Sequence, residues 1–243
     1  MANRATRATK PAIAARGGQL AAPQAAVKPP QARTLVTRQR ILAAAVSEFS
    51  KHGYAGASIR GIARKARVPD PLIHYHFGGK EKLWREAVTA LFDEMHADND
   101  KAAKGATDKL DEVRRRVRAL LYYLARKPEL GALTTLEYGR KSPRLSFIIK
   151  TFYGKRFQDA LEAIGQLQVA GRLPAGDTQL LNSIMIGLAH LLSQRGGEIE
   201  LLTGRSAKDP TLIEDYWRFV DGILFGSAGD PGQRAVAETA HEK

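Results

Sequence analysis

The chain contains no cysteine. That excludes a disulfide framework, thiolate metal sites and cysteine nucleophiles, and it suits a reducing cytoplasm. No apolar run reaches the roughly 18 residues that a membrane helix needs, so no membrane span is expected. Glycine-rich phosphate loops are missing, and neither a Ser-His-Asp set nor paired carboxylates stand out, so no cofactor or catalytic signature is legible. Acidic residues are scarce at one end only. Residues 1–80 hold 14 Lys or Arg against Glu48 and Asp70, whereas residues 81–243 hold 24 basic and 23 acidic residues. The net charge of +13 is therefore almost wholly N-terminal. A basic first part beside a neutral second part suits a nucleic-acid-binding head on a separate body, because phosphate neutralisation supplies most non-specific affinity. A solvated basic tail has the same composition, and the motif beside it decides between the two.

With 243 residues and 44% apolar content, the chain is long enough for one or two ordinary cores. Residues 1–33 carry six basic and no acidic side chains among many Ala, Pro and Gln. This stretch is expected to be a disordered arm, either lying along phosphates or inert. It lacks the apolar centre of a secretory signal and the amphipathic period of a transit peptide.

Thr37 is placed to cap the first ordered helix, in which Ile41, Ala45 and Phe49 form a stripe that ends at His52-Gly53. Ser58 is placed to cap a second helix, where Ile59, Ile62, Ala63 and Ala66 recur at helical spacing. Arg67 and Val68 interrupt it. Asp70-Pro71 then offers an acidic cap and a first-position proline for a third helix through Phe77. Two short helices joined by a tight turn make a helix-turn-helix, whose second helix enters the DNA major groove.

Ser58-Ile59-Arg60-Gly61-Ile62-Ala63, Ala66-x-Val68 and Leu72-Ile73-His74-Tyr75-His76-Phe77-Gly78-Gly79-Lys80-Glu81-Lys82-Leu83 together resemble the DNA-binding domain of the TetR family of bacterial transcriptional regulators. The resemblance runs from Thr37 to about Phe92. Two departures stand out: Arg67 where the family usually has Gly in the turn, and Pro69 where it usually has Ser or Thr. The resemblance implies DNA contacts from Ser58, Arg60, His74, Tyr75 and Lys80. His76 either reaches phosphate or packs beside Phe77. Asp70 and Pro71 belong to the same helix start, Asp70 as a cap or as an acceptor for a cytosine amine. Two histidines two residues apart on a helix point different ways, so no metal site is expected.

Beyond residue 80 the pattern stays helical. A long helix from Glu81 carries Leu83, Trp84, Ala87, Val88, Leu91, Phe92 and Met95, and Asn99–Thr107 reads as a loop. Asp108 opens a helix whose Arg114, Arg115, Arg116 and Arg118 read as a solvated face. Pro128 and Pro143 start two more helices. Leu180–Leu192 is apolar around much of its circumference, and Asp209-Pro210 opens a last helix through Leu224. The expected architecture is all-α. It comprises a three-helix helix-turn-helix domain (34–80), a helical ligand-binding and dimerisation domain (81–225) and a flexible tail (226–243).

The two C-terminal helices resemble the pair that joins TetR subunits as a four-helix bundle, and residues 171–225 loosely resemble pyrimidine-responsive members. The resemblance implies a homodimer on a palindromic DNA operator, released by an unknown small-molecule effector. Tyr138, Arg140, His190 and Gln194 are the polar candidates for its pocket. A sequence-indifferent DNA-binding protein and a small helical enzyme are the alternatives from other classes.

Overall fold

The computed structural model describes residues 30–139 and 141–226, and every regular element among them is a helix. In the head, α1 (Pro30–Gly56), α2 (Ile59–Ala66) and α3 (Asp70–Phe77) close around Ile41, Ala45, Phe49, Ile62, Ala63, Ile73 and Phe77. None of these is more than 3% exposed. Helix α1 begins earlier than the sequence reading places it, so residues 30–33 are helical and Thr37 lies inside the helix rather than capping it. Pro30 starts a helix readily, since the N–H it lacks is one that a first turn leaves unpaired. The arm and the tail assigned to residues 1–29 and 227–243 lie outside the described residues.

The predicted stop at Gly53 is present: with φ 66° and ψ 174° the backbone there leaves the helical region in a conformation that suits glycine. Ser58 caps α2 as expected, its Oγ accepting from the Gly61 N–H at 3.0 Å. Arg67 ends α2 in the left-handed region, at φ 54° and ψ 50°. That conformation costs a residue with a Cβ about 1–2 kcal/mol. Backbone bonds from Arg67 N–H to Arg64 O (3.2 Å) and from Val68 N–H to Ala63 O (3.0 Å) offset the cost. Arg40 of α1 adds bonds to the Ala66 and Arg67 carbonyls at 2.5 and 3.2 Å.

The cap of α3 departs from the reading. Pro69 is the N-cap, no side chain caps the helix, and Asp70 and Pro71 are its first two residues. Pro69 already has the extended cap conformation (φ −64°, ψ 142°), so the chain turns one residue sooner. The Asp70 carboxylate is left in the first turn, where the helix dipole favours it.

Helix α4 (Lys80–Ala103) joins head to body, packing on α1 and on α5 (Lys109–Arg126). Its predicted apolar stripe is buried from Leu83 to Met95. It continues through Asn99–Ala103, where a loop was expected, and there Asp100 binds Arg116 and Arg156. Asp108 caps α5, accepting from the Asp111 N–H at 2.8 Å. The arginine run is more than a solvated face. Arg114 pairs with Asp221 and Arg118 with Glu214, both on α10 (Pro210–Phe225).

Helix α6 (Pro128–Tyr138) lies against α1, α5 and α9 (Thr178–Thr203). After Pro143 the single expected helix is divided into α7 (Pro143–Ile148), a π-helical stretch (Ile149–Tyr153) and α8 (Gly154–Val169). Met185, Ala189 and Leu192 of α9 face the core, as do Ile213, Trp217, Val220 and Leu224 of α10. The Tyr216 hydroxyl donates to Leu188 O at 2.7 Å, and burial pushes this phenol up to about 12. Leu180, Ile184, Phe219 and Ile223 of the same two helices are 53–71% exposed. No helix among the described residues is long and apolar enough to cross a membrane.

Candidate nucleic-acid interface and an internal cavity

Helical spacing divides α3 into two faces. Ile73 and Phe77, four apart, are buried against the head, and Arg38 lies over the Phe77 ring at 5.0 Å. Asp70, Pro71, His74 and Tyr75 are exposed together on the opposite side, Tyr75 to 80%. His76 falls between the faces. It is half-buried, with its ring edge-on to Tyr75 (5.1 Å) and near Phe77 (6.3 Å), so the structure joins it to the Phe77 side without closing it off.

Ser58 and Arg60 are exposed at the start of α2, and Arg60 makes no ion pair among the described residues. Lys80 is placed differently. Its ammonium is folded back on the head, 4.6 Å from the centre of the Tyr54 ring and 3.4 Å from Ala55 O. The outward face offers a phenol, an imidazole and a guanidinium, which can donate to phosphates or to base edges. Among the described residues no group of His, Cys, Asp or Glu could hold a metal ion.

A charged latch connects this head to the body. Glu137, near the end of α6, is 3% exposed. Its carboxylate accepts from Arg144 Nε at 2.8 Å and from Ser142 Oγ at 2.7 Å. The Arg144 guanidinium also stacks over Tyr54 (4.2 Å) of α1 and near Trp84 (5.9 Å) of α4. One residue thus touches the end of α6 and both helices that carry the recognition unit.

The other face of α6 borders a half-open cavity of about 520 Å³ lined by α4, α5, α6, α8 and α9. Of the sequence candidates, Tyr138 and His190 line it. Gln194 does not: it is exposed and its Nε2 donates to Thr135 Oγ1 at 3.0 Å. Arg140 lies outside the described residues.

Sequence reasoning missed several residues on this wall. The π-helical stretch turns the adjacent Phe152 and Tyr153 into the cavity, where Phe152 stacks on Phe92 at 4.2 Å and the Tyr153 hydroxyl meets that of Tyr138 at 2.8 Å. Desolvation raises both phenols above their usual value. Nothing in local spacing announces a π-helical turn. Asn182 is a different case, because a lone amide within the apolar Leu180–Leu192 run is a signal that can be read from sequence. Both imidazoles at the cavity are kept neutral: burial lowers His190 to about 4, and burial with the Arg156 charge lowers His96.

Comparison with known proteins follows the same division. Residues 41–87 match the family described as "Bacterial regulatory proteins, tetR family". The chain is 32% identical over 115 residues to the HTH-type transcriptional repressor NicS of Pseudomonas putida, a match that covers 45% of this chain and 54% of that one. It is 37% identical over 106 residues to the HTH-type transcriptional repressor SCO4008 of Streptomyces coelicolor, covering 42% and 52%. The chain thus spans about half the length of the curated relatives it matches.

Among solved structures, a TetR family transcription regulator from Marinobacter aquaeolei VT8 superposes with a TM-score of 0.63 at 20% identity, over 80% of this chain and 98% of that one. The ketosteroid transcriptional regulator KstR2 of Mycobacterium tuberculosis gives 0.62 at 18%, over 77% and 94%. At such identities the likeness extends to the fold.

Proposed function

We propose that this chain, whose residues 41–87 match the tetR family of bacterial regulatory proteins, is a cytoplasmic, ligand-responsive transcriptional regulator rather than an enzyme, and that it acts as a repressor released from a palindromic operator by a small molecule. The observation that carries the reading is the outward face of α3, where His74 and an 80% exposed Tyr75 stand clear of a closed head. In this reading α3 enters the major groove with Tyr75 and His74 on base edges or phosphates. Ser58 and Arg60 bind the flanking backbone, Asp70 and Pro71 set the start of the helix, and His76 and Lys80 lie at its margin. Lys80 reaches phosphate by leaving the Tyr54 ring.

Two half-sites require two heads. Leu180, Ile184, Phe219 and Ile223 supply an exposed apolar face on α9 and α10, and pairing it with a second copy gives a four-helix bundle and a two-fold axis. Recognition helices about 34–36 Å apart then match successive major grooves. The cavity supplies the switch. A ligand seated among Thr134, Tyr138 and His190 acts on α6, and Glu137–Arg144 carries a displacement of α6 to Tyr54 and Trp84 of the head. It shifts the dimer only to the extent that it binds the two arrangements with different affinity.

Selection of duplexes from a random pool tests the proposal. A palindromic winner, bound on the order of 10³-fold more tightly than a scrambled duplex at the same salt, is the expected result. Equal affinity for all duplexes would overturn it in favour of sequence-indifferent binding.

A further inference from the structure

The cavity wall contributed by α9 has a polarity pattern that selects a class of ligand. Asn182, Ile186 and His190 are spaced four apart and all line the cavity. Asn182 and His190 are 8% and 7% exposed; His190 Nδ1 is buried without a hydrogen-bond partner, as is Asn99 Oδ1 on the opposite wall, and the Asn182 amide makes no side-chain hydrogen bond among the described residues. Buried amides and imidazoles are normally paired, and leaving one unpaired costs stability. Eight residues at 1.5 Å each set Asn182 and His190 about 12 Å apart along the helix. Between them the surface is Ile186 and Met185, and other walls bring Phe92, Phe152 and Val117.

The cations that line the cavity are already paired within the protein. Among the described residues, Lys109 is paired with Glu112, Arg116 with Glu112 and Asp100, and Arg156 with Asp100. The Arg156 and Arg116 guanidiniums hold the Asp100 carboxyl well below the usual carboxylate range, so these pairs persist at neutral pH. Burying an anionic ligand here would mean desolvating its charge without a free cation, and Glu162, the lining carboxylate that makes no ion pair among the described residues, is exposed to solvent.

Resting on the reading of this cavity as the effector site, we propose that it takes a neutral, largely apolar molecule with a hydrogen-bonding group at each end, about 12 Å apart, one bonded to the Asn182 amide and the other to the His190 imidazole. A volume of about 520 Å³ is ample for such a molecule. The groups are neutral at both ends, so hydroxyl or carbonyl functions fit and carboxylates or phosphates do not.

Calorimetry on the full chain with rod-shaped diols tests this: 4,4′-dihydroxybiphenyl, trans-4,4′-dihydroxystilbene and 4,4″-dihydroxyterphenyl, together with the dicarboxylates of the same frames and trans-4-hydroxystilbene. The stilbene diol, whose hydroxyls match the spacing, is expected to bind best. Its dicarboxylate should bind at least tenfold more weakly, and loss of one hydroxyl should cost roughly five- to tenfold. Asn182→Leu removes an unpartnered polar group, so the variant should fold with an unchanged or higher Tm. In it, or in His190→Leu, the diol and the mono-ol should become equal.

Stronger binding of the dicarboxylates, no dependence on length, no binding by any diol, or a diol preference that survives both substitutions would each overturn the proposal. Release of the selected operator is measured separately. A diol that binds as described yet leaves the DNA complex intact supports the ligand class and overturns the effector reading alone.

Discussion

The head and the body bury their side chains to different ends. The interior of the head is built from apolar side chains, and its polar groups are turned outward on α2 and α3. The body, built from longer helices, holds a half-open cavity and leaves His190 Nδ1 and Asn99 Oδ1 on its walls buried without partners among the described residues. A closed unit is suited to presenting a fixed surface. A hollow one keeps a second packing within reach, because an interior with unmade hydrogen bonds gains by accepting a guest. Glu137–Arg144 stands at the border and belongs to both.

Substitutions can break this contrast. The largest effect is expected from Phe219→Glu, which places a charge on the exposed apolar face of α10. A monomer by sedimentation and loss of palindrome preference, on the order of 10³-fold, are the expected results; an intact dimer would remove α10 from the interface. Next comes Arg144→Ala. It strands the buried Glu137 carboxylate, and thermal unfolding should report a loss of about 3–5 kcal/mol. A loss below ~1 kcal/mol would make the latch an ordinary surface pair.

Close behind is the pH dependence of His190. Its folded pKa, about 4, lies below the ordinary 6.5, so the unfolded chain binds more protons between these values. Its contribution is therefore full above about pH 6.5 and is lost as pH falls toward 4, on the order of 3 kcal/mol. Chemical denaturation across that window should show the wild type losing stability relative to His190→Leu as pH falls, and parallel curves would show that the imidazole is not buried in solution.

Smaller effects belong to the head. Tyr75→Ala should weaken operator binding by about 1–3 kcal/mol while leaving Tm unchanged, since the ring touches little beyond His76. If Tm falls with affinity, the outward face is not independent of the core. Arg67→Gly should stabilise the head by up to about 1 kcal/mol, the left-handed strain relieved less the added freedom of the unfolded chain. A destabilised variant would mean that the arginine side chain holds the turn.

Legibility from sequence follows the same border. In the head, the residues that make contacts are near one another in the chain: Ser58 caps its own helix, Gly53 breaks its own, and the alternation of Ile73 and Phe77 with His74 and Tyr75 fixes which side of α3 is bare. Local chemistry was enough there, apart from the one-residue shift at Pro69 and the start of α1, which lies at Pro30 and not at Thr37. In the body, periodicity located the helices and their buried stripes, but Tyr138 and His190 were only two polar residues among many until α6 and α9 met. Gln194, with the same credentials, turned outward.

Composition and spacing by themselves determined an all-helical chain, a basic head with a helix-turn-helix, the caps at Ser58, Asp108 and Asp209, and the apolar faces of α9 and α10. These rest on bonds within a turn or on a repeat of three to four residues, which a linear sequence displays directly. Only the tertiary structure decided the π-helical turn at Phe152-Tyr153, the pairing of Arg144 with Glu137, the binding of the arginine run to α10 and the cavity between five helices. Each of these depends on which faces of distant segments meet. A hollow is defined by the side chains that fail to fill it, and no single stretch of sequence contains that information.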